Sequence, residues 1–134
     1  MDAVAEVCAF LKKCGTFYLA TDEGGQPRVR PFGAVCVYEG KLYLQTGRVK
    51  AVSRQLAANP RAELCGMTEG QWLRVSGELV EDDRREARQF MLDENPGLKK
   101  MYAADDGNCE VLYFRGATAV FSAFGREPRT VTFG

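Results

Sequence analysis

The chain contains no histidine. That excludes His-based catalytic triads, His general bases and His-ligated metal or haem. Its five cysteines (Cys8, Cys14, Cys36, Cys65, Cys109) form an odd set without C-x-x-C spacing, so neither a disulfide framework nor a zinc ribbon is written into them. Reduced, buried thiols are the expectation. No apolar run approaches the ~20 residues needed to cross a bilayer, and Met1-Asp2 opens an acidic amphipathic start rather than a basic leader. A soluble, cytoplasmic protein with no membrane partner follows as the expectation. Glycine-rich phosphate loops of the P-loop or dinucleotide type are missing too. There is one tryptophan, Trp72, and the formal net charge is +0.

Charge is nevertheless unevenly distributed. From Arg28 to Arg61 the bases Arg28, Arg30, Lys41, Arg48, Lys50, Arg54 and Arg61 face a single acid, Glu39, a local excess of +6 that would attract an anionic ligand. The segment from Glu81 to Glu110 is its acidic counterpart, nine acids against five bases, and reads as a solvated helical face.

At 134 residues with 46% apolar content the chain is expected to form one domain, 1–134, with a real core. Residues 3–13 place Val4, Val7, Cys8 and Leu11 on one helical face, stopped by Gly15. Strands are expected at Phe17–Thr21, Arg28–Tyr38 (with Val29, Val35 and Val37 on one face), Lys41–Thr46, Arg61–Met67, Gln71–Val80, Val111–Phe114 and Ala117–Phe124, with at most a short one at Thr130–Phe133. Glu39-Gly40 and Glu69-Gly70 are two-residue hairpin links. A helix capped by Asp82 or Asp83 should bury Ala87, Phe90 and Met91, and a short turn should run from Pro96 to about Tyr102. Short antiparallel connections without a strand-helix-strand repeat argue for a closed or nearly closed β-barrel with flanking helices.

Alternation along a strand puts Arg28, Arg30 and Phe32 together, two guanidiniums beside an aromatic ring that can clamp phosphate and border a planar group. Pro31 marks a bulge or edge, where free backbone groups could meet a ligand. Thr46-Gly47-Arg48 lies between a strand and the helical pattern Val49, Val52, Leu56, surrounding a helix N-terminus with a hydroxyl, amides and a cation. Lys50 and Arg54 share that helix's polar face, Lys50 in its first turn. Trp72 and Arg74 share the face opposite Leu73 and Val75, where Trp72 suits core, interface or ligand stacking. A basic strand with exposed aromatics also suits single-stranded nucleic acid, but zero net charge and the compactness of the basic segment argue against a nucleic-acid partner.

The succession Phe17-Tyr18-Leu19-Ala20-Thr21, Pro27-Arg28-Val29-Arg30-Pro31-Phe32, Leu42-Tyr43-Leu44-Gln45-Thr46-Gly47, Lys50, Asn59-Pro60 and Trp72-x-Arg74-Val75-x-Gly77 resembles the small FMN-binding split-barrel proteins of the pyridoxamine 5'-phosphate oxidase-like family. Pro96-x-Leu98 followed by Tyr102 suits its shorter members. The resemblance implies a mainly β, α+β fold: a six-stranded antiparallel split β-barrel forming a homodimer with FMN at the interface. It implies that Arg28 and Lys50 meet the FMN phosphate, with Arg48 in the basic run that reaches it. Arg30 belongs to the same strand, and the backbone from Val29 through Pro31 to Phe32 would face the isoalloxazine. Gln45, Thr46 and Gly47 complete the pocket, and Trp72 stands where full oxidases place a flavin-contacting glutamine. No catalytic side chain and no metal ligand are implied. After Arg126 and Arg129 the pattern of the full oxidases' substrate-binding C-terminal segment is not found. The implied function is therefore an FMN-dependent oxidoreductase acting on a small molecule, with pyridoxamine 5'-phosphate the less favoured substrate. A non-catalytic flavin carrier or sensor, or a deazaflavin-dependent reductase, is the alternative.

Overall fold

The computed structural model describes residues 1–134. Its elements are α1 (Ala3–Cys14), β1 (Phe17–Glu23), β2 (Gln26–Phe32), β3 (Val35–Tyr38), β4 (Lys41–Gly47), α2 (Ala51–Ala58), β5 (Arg61–Thr68), β6 (Gln71–Glu81), α3 (Arg85–Glu94), a 3₁₀ turn at Pro96–Lys100, β7 (Cys109–Ala123) and β8 (Arg129–Phe133). One antiparallel sheet runs β2-β1-β5-β6-β7-β4-β3, with β8 added on β7. Its two edges, β2 and β3, follow one another in the chain yet do not pair, so the sheet curls into a barrel that stays split at Gly33-Ala34. The α+β split barrel is thus present with eight strands rather than six.

Local chemistry accounts for the elements. Asp2 caps α1 by accepting from the Ala5 amide at 2.8 Å, Lys12 and Lys13 sit in its last turn, and Gly15 ends it at φ 74°. Both residues of each predicted hairpin link have positive φ: Glu39 and Gly40 at 50° and 77°, Glu69 and Gly70 at 53° and 75°. This is the turn whose twist matches that of the flanking strands.

Inside the barrel, the apolar face of α1 meets Phe17, Leu19, Leu42, Leu44, Leu64, Leu73, Val75 and Phe114, all essentially inaccessible. A smaller cluster joins Cys36, Tyr43 and Val111 to Ala87 and Met91 of α3. No helix is long and apolar enough to cross a membrane.

Several expectations change. The long strand Arg28–Tyr38 is two strands, and the break separates the valines: Val35 is buried, whereas Val29 points outward. Pairing of Phe32 with Phe17 and of Arg30 with Leu19 obliges the arginine-bearing face of β2, not its valine face, to point inward. The two strands expected at 111–114 and 117–124 are one, with Gly116 at φ 62° marking a bulge where the pairing with β6 shifts register between Ser76 and Glu78. Arg84, not Asp82 or Asp83, occupies the N-cap position of α3, and Leu92 joins Ala87 and Met91 on its buried face while Phe90 is half-buried. Lys50 is the N-cap residue of α2 rather than part of its first turn, and Val49 is exposed. All five thiols are free, but Cys65 is exposed and Cys14 half-buried.

Asp82 acts as a structural hub. Its carboxylate accepts from the buried Tyr43 hydroxyl at 2.7 Å and from Arg84 Nε and Nη2 at 3.0 and 2.9 Å. Arg84 Nη2 also reaches Glu39 in the β3–β4 hairpin at 2.6 Å. Arg84, aided by Tyr43, holds the Asp82 carboxyl down at about 2 from an ordinary 3.8. A depressed folded-state pKa contributes stability that is present above the unfolded value and lost as pH falls through the folded one. We expect Tyr43→Phe to cost about 1–2 kcal/mol at neutral pH. Its urea midpoint should converge on that of the parent protein as pH falls from about 5 to about 2, and a gap independent of pH would mean that the Asp82 charge does not carry the interaction.

Candidate functional site

The split creates the site. β3 pairs with β4 only from Tyr38↔Lys41 to Val35↔Leu44, so Gln45, Thr46 and Gly47 have β7 on one side and no strand on the other. Beside this free edge lies a cavity of about 610 Å³, within the range typical of small-molecule sites (about 300–1,000 Å³). Arg30, Pro31, Phe32, Gly33 and Ala34 form one wall, Gln45 and Thr46 the floor, and Lys50 and Val52 the start of α2. Glu94 to Leu98, with Met101 and Tyr102, close the opposite side.

Six of the expected residues therefore converge here: Arg30, Pro31, Phe32, Gln45, Thr46 and Lys50. Gly47 stands behind the wall: a Cβ there would lie 3.1 Å from the Tyr102 hydroxyl and 3.2 Å from the Asn108 amide, so a larger residue would push these side-chain ends outward. Gln45 donates from Nε2 to the Thr46 carbonyl at 2.9 Å and lies 3.8 Å from Cys109 Sγ. Burial pushes the Cys109 thiol above its ordinary range, so it is no ready nucleophile. At the start of α2, Lys50 makes no side-chain cap; the Ser53 amide bonds the Lys50 carbonyl at 3.1 Å, and Lys50 and Val52 line the cavity.

The remaining four stand elsewhere. Arg28 lies outside the cavity, paired through Nε with Glu23 at 2.9 Å. The Val29 side chain is 68% exposed on the outer face. Trp72 is on that outer face of β6, stacked on Phe124 at 5.1 Å between ring centroids. Arg48 turns away from the cavity into an acid cage: Glu81, Asp83 Oδ1 at 3.1 Å and Glu110 Oε2 at 3.6 Å. Its position next to Gly47 suggested phosphate, but three carboxylates already compensate its charge. Burial raises the pKa of Glu110, whose Oε1 has no partner.

Sequence reasoning missed the wall from Glu94 to Tyr102 as part of the site, and it missed Gln55 and Thr21. Both are buried and both bond to Arg30. One signal was available, because Gln55 is a polar residue between Val52 and Leu56 on the apolar face of α2.

The sequence profile of the pyridoxamine 5'-phosphate oxidase family matches residues 3–111. The chain belongs to this family. A NimC/NimA family protein from Clostridium acetobutylicum superposes with a TM-score of 0.94 at 46% identity, over 97% of this chain and 92% of that one. A heme-binding protein from Mycobacterium smegmatis shares the fold at TM-score 0.76 and 19% identity, over 98% of this chain and 58% of its own. A pyridoxamine 5'-phosphate oxidase-related, FMN-binding protein from Nostoc punctiforme does so at 0.64 and 16%, over 98% and 95%. No curated protein matches the chain. Within this oxidase family chain, then, the cavity is the split of the barrel, and Arg48 serves the fold beside it. Arg48→Met should destabilise the protein by about 1–3 kcal/mol by leaving Glu110 buried without its cation. Adding Glu110→Gln should restore part of that loss in urea denaturation, and strict additivity of the two changes would contradict the cage.

Proposed function

We propose that the protein is an FMN-binding oxidoreductase that acts on a small molecule. The observation that carries this reading is that Arg30, Lys50 and the start of α2, which has no side-chain cap, line one 610 Å³ cavity. Two cations and free amides are the donor set that a phosphate monoester needs, and the cavity volume admits the rest of a flavin nucleotide. An FMN-binding neighbour and membership of the oxidase family support it. The heme-binding neighbour does not transfer as readily, since this chain has no histidine to serve as an axial ligand.

Bound FMN would supply hydride or electron transfer. The protein's own part is positional. Lys50 and Arg30 would hold the phosphate end, the free edge of β4 offers backbone groups other than the Thr46 and Gly47 carbonyls, which already accept from Gln45 Nε2 and the Lys50 amide, and Pro31 to Ala34 gives a wall. Glu94 and Tyr102 are the lining side chains able to pass a proton.

The same reading includes a homodimer. Tyr18, Val29, Met67, Trp72 and Phe124 form an outward apolar face across β2, β1, β5 and β6, continued by the end of β7. Phe124 is 86% exposed in the single chain. A second copy is the occupant that would cover this face and bring Trp72 and Val29 near a flavin held by its partner.

The purified protein should be yellow and release FMN on denaturation, identified by mass. Fluorescence titration should show FMN bound in preference to riboflavin. Lys50→Ala should weaken FMN by about 1.5–3 kcal/mol with little change for riboflavin, whereas equal affinity of the parent protein for both flavins would refute the phosphate site. Reduction of the loaded protein by NADH or NADPH tests turnover, and failure of both would favour a carrier or sensor. Light scattering at low micromolar concentration should give twice the chain mass of 14.8 kDa. A monomer that retains FMN would refute the shared site.

A further inference from the structure

Seven arginines of this chain (Arg28, Arg48, Arg84, Arg85, Arg88, Arg115 and Arg129) have a carboxylate partner. Arg30 is different. It is half-buried at the cavity wall, and its bonds go to neutral oxygens: Nη1 to the Leu19 carbonyl at 3.1 Å and to Thr21 Oγ1 at 2.8 Å, and Nη2 to Gln55 Oε1 at 2.5 Å. The Thr21 hydroxyl in turn donates to Gln55 Oε1 at 2.6 Å, so the two acceptors lock one another. Five N–H groups are available to a guanidinium and these bonds use three, which leaves Nε and one Nη2 hydrogen for the cavity.

A buried cation held by neutral acceptors keeps its whole charge, where a carboxylate would cancel it. Burial, and then the nearby Arg28, disfavour the charged form of Arg30, and the Glu23 carboxylate, which is not bonded to Arg30, opposes them only in part. Gln55 meets a demand that no carboxylate could, because its oxygen must accept from Arg30 while its Nε2 donates to Glu23 Oε2 at 3.3 Å. A glutamate there would neutralise Arg30 and face the Glu23 carboxylate. α2 thus carries Lys50 at its start and the support of Arg30 one turn further on.

We propose that Gln55, with Thr21, is a positioning residue that holds Arg30 oriented and uncompensated in the cavity, and so sets the preference for a phosphate-bearing ligand over its uncharged counterpart. This rests on the flavin reading above.

The test is fluorescence titration of the full-length protein with FMN and with riboflavin, with melting temperatures as a fold control. Gln55→Glu should lower FMN affinity about tenfold and leave riboflavin unchanged. Thr21→Val, nearly isosteric, should shift the FMN-to-riboflavin ratio the same way by a few-fold, and it decides the matter if Gln55→Glu does not fold. In an Arg30→Met background, Gln55→Glu should cost FMN nothing further. An equal loss of both flavins, or an undiminished effect in the Arg30→Met background, would show that Gln55 only docks α2 and would overturn the inference. A parent protein that prefers FMN, with that preference intact in both Gln55→Glu and Thr21→Val, overturns it while sparing the flavin reading. A parent that binds both flavins equally overturns the two together.

Discussion

The two edges of the sheet, β2 and β3, meet end to end in the chain without pairing, and the cavity and the cations that line it depend on that failure to close. Had the ladder continued across Gly33-Ala34, the backbone of Gln45 to Gly47 would be spent on a neighbouring strand. An unpaired edge normally invites another chain. Here α2 crosses one end of the gap and the Pro96–Lys100 turn the other, so the edge opens onto a cleft walled on several sides.

Charge compensation then separates side chains that look equivalent in the sequence. Arg48 and Arg30 flank the same gap, both half-buried. The cage of Glu81, Asp83 and Glu110 makes Arg48 a tie between the β4–α2 turn and the acidic segment, whereas the neutral oxygens around Arg30 leave its field directed at the cavity. The acidic stretch 81–110 is accordingly more than a solvated face: Asp82 fastens Tyr43 and Arg84, and Glu110 sits buried opposite Thr46.

Features set by local rules were legible in the sequence. The α1 face, the Glu-Gly hairpins and the convergence of a basic strand with the start of α2 all follow from periodicity and turn chemistry over a few residues. What was not legible depended on partners far along the chain. The inward face of β2 is chosen by Phe17 and Leu19, and no alternation within β2 reveals it. The caging of Arg48 depends on residues of β6 and β7, and the far wall of the cavity comes from a helix and turn with no binding signature of their own. Gln55 shows the one clue that could have been used, a polar residue at a position where periodicity demands an apolar one. The side chains of Trp72 and of Val29, the latter chosen for its backbone, face away from the cavity of their own chain.

β7 has a kinetic consequence. The hairpins β1–β2, β3–β4 and β5–β6 join neighbours in the chain, but β4 acquires its second partner only when Thr46 finds Glu110 and Gly47 finds Cys109. Closing so long a loop is slow compared with forming a hairpin. The floor of the cavity therefore rests on a pairing between distant parts of the chain, and a ligand that needs that floor needs the β4–β7 ladder in place.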